Sequence, residues 1–338
     1  MRRHRCLLLI TAGALACAHG RAPVEGEVRF WPPPPARALV RFVESFPRPD
    51  AQPERAPLFK RIFALVVGDE PERSRAGPLL ARPFGLAAVE GGFVVADADR
   101  SLVLRIHPRA EEAVALECRG RPWKLPLAVA VGPDGSVYVA DGGLGLVLRL
   151  LADGSCAAIG AGVLERPAGL AFAAGRIYVV DPPKHQISAF SPDGIEQLRF
   201  GARGEGKGQL NFPTAIAAGK EDTLLVVDAL NYRVVRFGKD GTFLGSFGEP
   251  GDGAGAFGRP KGVAVDPRGR VYVSDAQHDV VIVFSAGGSF EVALGGSGQG
   301  PGSLTLPAGI AVGDGFLYVA DSYNHRVQIF QLLGGEAP

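Results

Sequence analysis

The sequence predicts an all-β fold, a six-bladed β-propeller of four-stranded antiparallel blades closed by an N-terminal strand. Three observations carry this. A strand-like run ending in Asp occurs six times, a Pro-plus-small-residue landmark precedes each run at near-constant distance, and the last copy lacks a fourth strand that an earlier segment can supply. The 47 Gly and 27 Pro among 338 residues agree with many short strands joined by tight turns.

The six runs end at Asp97, Asp141, Asp181, Asp228, Asp275 and Asp321, in steps of 44, 40, 47, 47 and 46 residues, the spacing of a four-stranded blade. Upstream of them stand Arg82-Pro-Phe-Gly-Leu-Ala, Leu125-Pro-Leu-Ala-Val-Ala, Arg166-Pro-Ala-Gly-Leu-Ala, Phe212-Pro-Thr-Ala-Ile-Ala, Arg259-Pro-Lys-Gly-Val-Ala and Leu306-Pro-Ala-Gly-Ile-Ala. Pro cannot donate to a strand ladder, so it opens a strand, and the small residues after it suit an inner strand crowded around an axis. Turn signals such as Gly132-Pro-Asp-Gly135 join this strand to the run ending in Asp. Third strands follow, as in Arg233–Phe237 and Arg326–Phe330, and Ser191-Pro-Asp-Gly194 or Gly238-Lys-Asp-Gly241 turns the chain into a fourth. Such a sheet has two apolar faces that it cannot bury alone, so the units stack and close into a ring; four strands per unit and no helical pattern favour that ring over a solenoid. Only eight residues follow Phe330, too few for a fourth strand, and residues 38–46 are expected to dock there as a latch.

Ahead of the repeats, residues 1–16 read as an export signal: Arg2, Arg3 and Arg5, then an apolar run to Ala16 that is too short to span a bilayer. Ala14-Leu15-Ala16-Cys17 resembles the bacterial lipobox, with Leu and the small residue exchanged, and the resemblance implies lipidation at Cys17. The expected protein is exported, tethered to a membrane by its N-terminal lipid, and faces the periplasm or the cell exterior. Residues 17–37 form the anchor and a Pro-rich arm, where Trp31 and Pro32 to Pro35 suggest a polyproline II spacer. Residues 38–338 form one propeller, with the latch at 38–46, a short amphipathic helix at 58–67 against one face of the ring, and repeats from about 82. Loss of the signal turns 36 basic against 35 acidic residues into 33 against 35, so no basic stripe marks a nucleic-acid partner. In an oxidising compartment Cys118 and Cys156 form an even pair, either bridged or two separate buried thiols.

Two segments bear a family resemblance. Asp321-Ser-Tyr-Asn-His-Arg-Val-Gln-Ile-Phe330 resembles the NHL-repeat consensus, and Phe247 to Pro260 resembles its glycine-rich connection between blades. The resemblance covers about residues 82–333 and is weaker in the first two units, where the Asn and His after the Asp are missing.

Strand counting puts the entry to each first strand and the turn after each Asp on one face of the ring, where propellers commonly bind partners. The candidate binding face is Arg82, Phe84, Lys124, Arg166, Thr214, Tyr232, Arg259, Lys261, His278 and Tyr323, a basic and aromatic set that suits an envelope protein, a glycan or a small anionic ligand. Arg233 and Arg326 are read as structural partners of the strand-end Asp residues, and those Asp residues as turn formers whose carboxylates accept nearby backbone N–H groups. His185, His278 and His325 recur at similar offsets after an Asp, which places them in separate blades instead of around one metal. No cofactor or catalytic set is called for, and a monomeric binding or assembly module is expected. The alternative is a metal-dependent propeller enzyme. Amidating-lyase-like propellers hold metal through His at positions matching Phe84, Leu127, Ala168, Thr214, Lys261 and Ala308, where no ligand is matched, and for the lactonase-like kind Glu165 is an isolated candidate.

Overall fold

The structure, a computed structural model, describes residues 29–33, 36–47 and 79–333. The export signal, Cys17 and the helix expected at 58–67 lie outside the described residues. Two short strands come first, β1 (Phe30–Trp31) and β2 (Val40–Phe46). Blade one is β3 (Pro83–Val89), β4 (Gly92–Asp97), β5 (Leu102–His107) and β6 (Glu112–Ala115), and blade two is β7 (Pro126–Val131), β8 (Val137–Asp141), β9 (Leu146–Leu150) and β10 (Cys156–Ile159). Blade three runs β11 (Gly169–Ala173), β12 (Arg176–Asp181), β13 (Gln186–Phe190) and β14 (Glu196–Phe200); blade four runs β15 (Pro213–Ala218), β16 (Leu224–Asp228), β17 (Arg233–Phe237) and β18 (Phe243–Phe247). Blade five is β19 (Pro260–Val265), β20 (Val271–Asp275), β21 (Val280–Phe284) and β22 (Phe290–Gly295), and blade six is β23 (Pro307–Gly313), β24 (Phe316–Asp321) and β25 (Arg326–Leu332). All pairings are antiparallel, and strand neighbours are sequential in every blade except where β25 of blade six meets β2, so blades one to five are simple meanders.

Each core lies between two blades. Phe93 and Ile106 of blade one pack with Tyr318 and Ile329 of blade six, and Tyr138 of blade two packs with Ile177 and Phe190 of blade three. Near the axis the blades meet through small residues at one repeat position. A Cβ on Gly85 would lie 2.6 Å from the Leu127 carbonyl oxygen, one on Gly262 2.6 Å from that of Ala308, and one on Gly309 2.1 Å from that of Phe84. Wedge-shaped packing, tight inside and bulky outside, is what turns six stacked sheets into a closed ring.

The latch docks as the sequence predicts: β2 pairs antiparallel with β25, from Val40 opposite Leu332 to Phe46 opposite Val327. It reaches two cores at once. Phe42 meets Phe330 edge-on at 5.8 Å between centroids, and Phe46 meets Phe93 of blade one at 6.3 Å. The arm expected to precede it is corrected in part. Phe30–Trp31 is a fifth strand on the outside of blade six, paired with Val40 and Arg41, and the Trp31 ring stands edge-on to Phe330 at 5.7 Å. The propeller therefore begins before residue 38, because burying an indole outweighs the spacer tendency of the prolines beside it.

Cys118 and Cys156 are bonded, with Cα atoms 5.7 Å apart. The bridge ties the connection between blades one and two to β10, the outer strand of blade two. Trp123, buried beside it, donates its indole N–H to the Leu116 carbonyl at 2.8 Å.

Candidate functional site

The Pro and Asp landmarks are direct neighbours in the ladder: Pro83 pairs with Asp97, Pro126 with Asp141, Pro213 with Asp228, Pro260 with Asp275 and Pro307 with Asp321. In blade three Asp181 instead accepts the Glu165 and Arg166 N–H groups, so in all six blades the entry segment and the turn after the Asp share one face. All six strand-end Asp side chains are buried. Their carboxylates accept backbone N–H groups mainly from the entry segment of their own blade, some 16 residues upstream, and not only from the turn that follows. Asp97 takes Ala81 and Arg82, Asp181 takes Glu165 and Arg166, and Asp275 takes Gly258 and Arg259. Pro leaves the strand start without a ladder donor, and the carboxylate instead satisfies the N–H groups just before it.

In blades four and six this clamp is extended as the NHL-like residues suggest. Asn324 and Arg326 both donate to Asp321, the latter at 2.7 Å, and the Arg326 guanidinium also binds the carbonyls of Gly300 and Ser303 in the preceding connection. Arg233 does the same between Asp228 and the carbonyls of Glu205 and Gln209. Both arginines are thus held by the scaffold. Two of the three histidines join neighbouring blades. His185 accepts the Phe212 N–H of the next blade at 3.0 Å, His325 of blade six bonds the Ala81 carbonyl of blade one, and His278 lies between Asp275 and Asp252. Among the described residues no three His, Cys, Asp or Glu side chains gather closely enough to share an ion.

At the axis, on the Pro and Asp face, lies a cavity of about 270 Å³ with wall residues from all six inner strands. Phe84, Leu127, Ala168, Thr214, Lys261 and Ala308, one per blade at a single repeat position, form one tier of it. Its charged lining residues are Arg82, Arg166 and Lys261, and no carboxylate or imidazole is among the lining. Thr214 anchors the tier by donating its hydroxyl to the Lys261 carbonyl at 3.0 Å. Burial, with added repulsion from Arg259 and Arg82, pulls the Lys261 ammonium down to about 8.

Five of the ten residues proposed from sequence line this cavity: Arg82, Phe84, Arg166, Thr214 and Lys261. Lys124 and Arg259 lie exposed on the same face outside the lining. Tyr232 packs into the core between blades four and five, His278 is held by its two carboxylates, and Tyr323 stands exposed in the turn after Asp321. Glu165 is exposed and is not a lining residue. Sequence reasoning missed Phe212, which lines the cavity while 39% exposed and has a left-handed backbone, φ 55°. It stands directly before its Pro in the same alignment column as Arg82 and Arg166, so the column held the signal.

Comparison with known proteins agrees with the fold. The NHL repeat model matches residues 304–330, the connection into blade six and the strands that follow it. No curated protein sequence matches the chain. Among solved structures, a streptogramin B lyase superposes with a TM-score of 0.57 at 14% identity, covering 75% of this chain and 94% of its own. A gluconolactonase from Xanthomonas campestris gives 0.59 at 20% identity, over 75% and 87% of the two chains. An auxiliary nutrient binding protein from Bacteroides thetaiotaomicron gives 0.60 at 10% identity, over 74% and 69%. Enzymes and a binding protein thus share this architecture, and the likeness is one of fold.

Proposed function

We propose that the chain is an extracytoplasmic binding module without a catalytic role, tethered through Cys17, whose axial cavity takes the anionic group of a small organic ligand or of an envelope protein or glycan. One observation carries the reading: Arg82, Arg166 and Lys261 line a single cavity whose other wall residues are apolar apart from Thr214 and include no carboxylate; Asp99, outside the lining, lies 3.3 Å from the Arg82 guanidinium. An exposed Arg166, a partly exposed Arg82 and a half-buried Lys261 offer directed donors to a carboxylate or phosphate, and the apolar wall favours a ligand with a hydrocarbon or aromatic body. The lyase and lactonase among the structural neighbours motivate the alternative, a metal-dependent enzyme. Holding a cation would call for carboxylates or imidazoles in the wall, where this chain has three cations and Thr214.

Thermal melts of the protein with a panel of aromatic carboxylates, sugar acids and phosphate monoesters test the proposal, since a ligand bound only by the folded state raises the melting temperature. At least one should do so for the natural chain and lose its effect in the Arg82→Gln, Arg166→Gln pair. An equal response in the variant, or one tightly held zinc or calcium per chain by elemental analysis, would move the function to the alternative.

A further inference from the structure

We propose that Lys261 captures its ligand covalently and reversibly, as an imine with a small organic anion that bears an aldehyde or 2-oxo group. This rests on the anion-binding reading of the same cavity and specifies the carbonyl chemistry of the ligand.

The chain has seven lysines against 29 arginines, and Lys261 is the single amine among the residues lining the axial cavity. A site that needed only positive charge is already served by Arg82 and Arg166, whose planar guanidiniums form directed pairs with anions. A primary amine adds a nucleophile that a guanidinium does not. Its surroundings fit that use. Small residues, Gly262, Gly309 and Ala308, line the same cavity, and the Thr214 hydroxyl holds the Lys261 backbone carbonyl at 3.0 Å. The charges acting on the ammonium, those of Arg259 and Arg82, are both positive. With its titration drawn down to about 8, roughly a tenth of Lys261 is neutral at pH 7, some hundreds of times the fraction for a free lysine.

The step balances without a further reagent. The neutral Nζ attacks the carbonyl carbon, forming the C–N bond while the C=O π pair moves to oxygen, and one proton passes from nitrogen to that oxygen through solvent. The resulting carbinolamine takes a proton from solvent on its hydroxyl and loses it as water, the nitrogen pair forms C=N, and one amine proton returns to solvent. Hydrolysis reverses the sequence and releases the ligand. Arg82 and Arg166 hold the anionic end meanwhile, which raises the local concentration of the carbonyl at the amine.

The full chain is incubated with 4-formylbenzoate and sodium cyanoborohydride, which reduces only an imine formed in place, and the lysine-bearing peptides are mapped by mass. The adduct is expected at Lys261 at least tenfold above any other lysine, with a rate that climbs as pH rises towards 8. Lys261→Arg should abolish it, while the natural chain should be stabilised in thermal melts by 4-(hydroxymethyl)benzoate, which has the ring and charge but no carbonyl. Labelling spread evenly over the lysines, with 4-(hydroxymethyl)benzoate still binding, overturns the imine and leaves the anion site standing. Absence of both labelling and binding overturns the two together.

Discussion

Lys261 is the residue at which folding and function oppose one another. Its ammonium is half-buried among cations with no carboxylate in the cavity wall, an arrangement that a stable scaffold has no use for until an anion arrives. The sign of the effect follows from its lowered titration. Below about pH 8 the folded and unfolded chains both hold the proton, and the folded one bears the whole desolvation penalty. Between about 8 and 10.5 the unfolded chain binds more protons, so stability rises with pH, and above 10.5 the penalty is gone. Lys261→Met should therefore be more stable than the natural chain at pH 7, and the difference should shrink to nothing by pH 11. Urea unfolding of both chains across that range measures it; a variant less stable at pH 7 would mean that the ammonium has a partner in the folded state.

At the scale of elements, the strand-end carboxylate is the recurring device. It compensates each inner strand for a Pro start, and in blade six Asp321 also carries the Arg326 side chain across to the carbonyls of the incoming connection. These demands were legible in the sequence because six units repeat them, so the Asp and Pro columns align without any structure. Short or singular elements were not legible. A two-residue strand such as Phe30–Trp31 shows no alternation and stands beside a run of prolines. The disulfide was equally open in sequence, since only the folded connection brings Cys118 against the outer strand of blade two. Its bridge closes a loop 38 residues long, and loop entropy alone assigns it about 4 kcal/mol. Replacing both cysteines with Ala should lower the unfolding free energy by up to that amount, and reductant should have no further effect on the variant. Amide exchange should quicken first in β10 and the segment before β7, where the constraint acts.

For the whole molecule, ring closure and the cavity are two consequences of the same small residues. Gly85, Gly262 and Gly309 let neighbouring inner strands touch through their backbones, and the diameter this sets leaves room at the axis for one modest ligand. The sequence foretold the crowding but not the cavity wall: Arg82, Arg166 and Arg259 occupy one alignment column, yet only the first two line the space. Which way an entry side chain turns depends on packing between blades, and a repeat pattern does not encode that. The junction of blades six and one is where the chain's ends must meet, sealed by the latch and by His325, and it is the place to test closure. In Gly309→Val a Cβ would fall 2.1 Å from the Phe84 carbonyl oxygen, a backbone atom that cannot step aside without moving blade one. A cost of about 3 kcal/mol is expected, lowering the melting temperature by about 6–12 °C for a domain of this size. Gly253→Ala is the control, since a Cβ there meets no heavy atom within 4 Å. Calorimetry of the two variants separates strain at the seam from any general sensitivity of the glycines. Because the seam also frames the cavity between Phe84 and Ala308, the Val variant should lose ligand response at temperatures where it remains folded, whereas an unaltered response would place the binding site away from the axis.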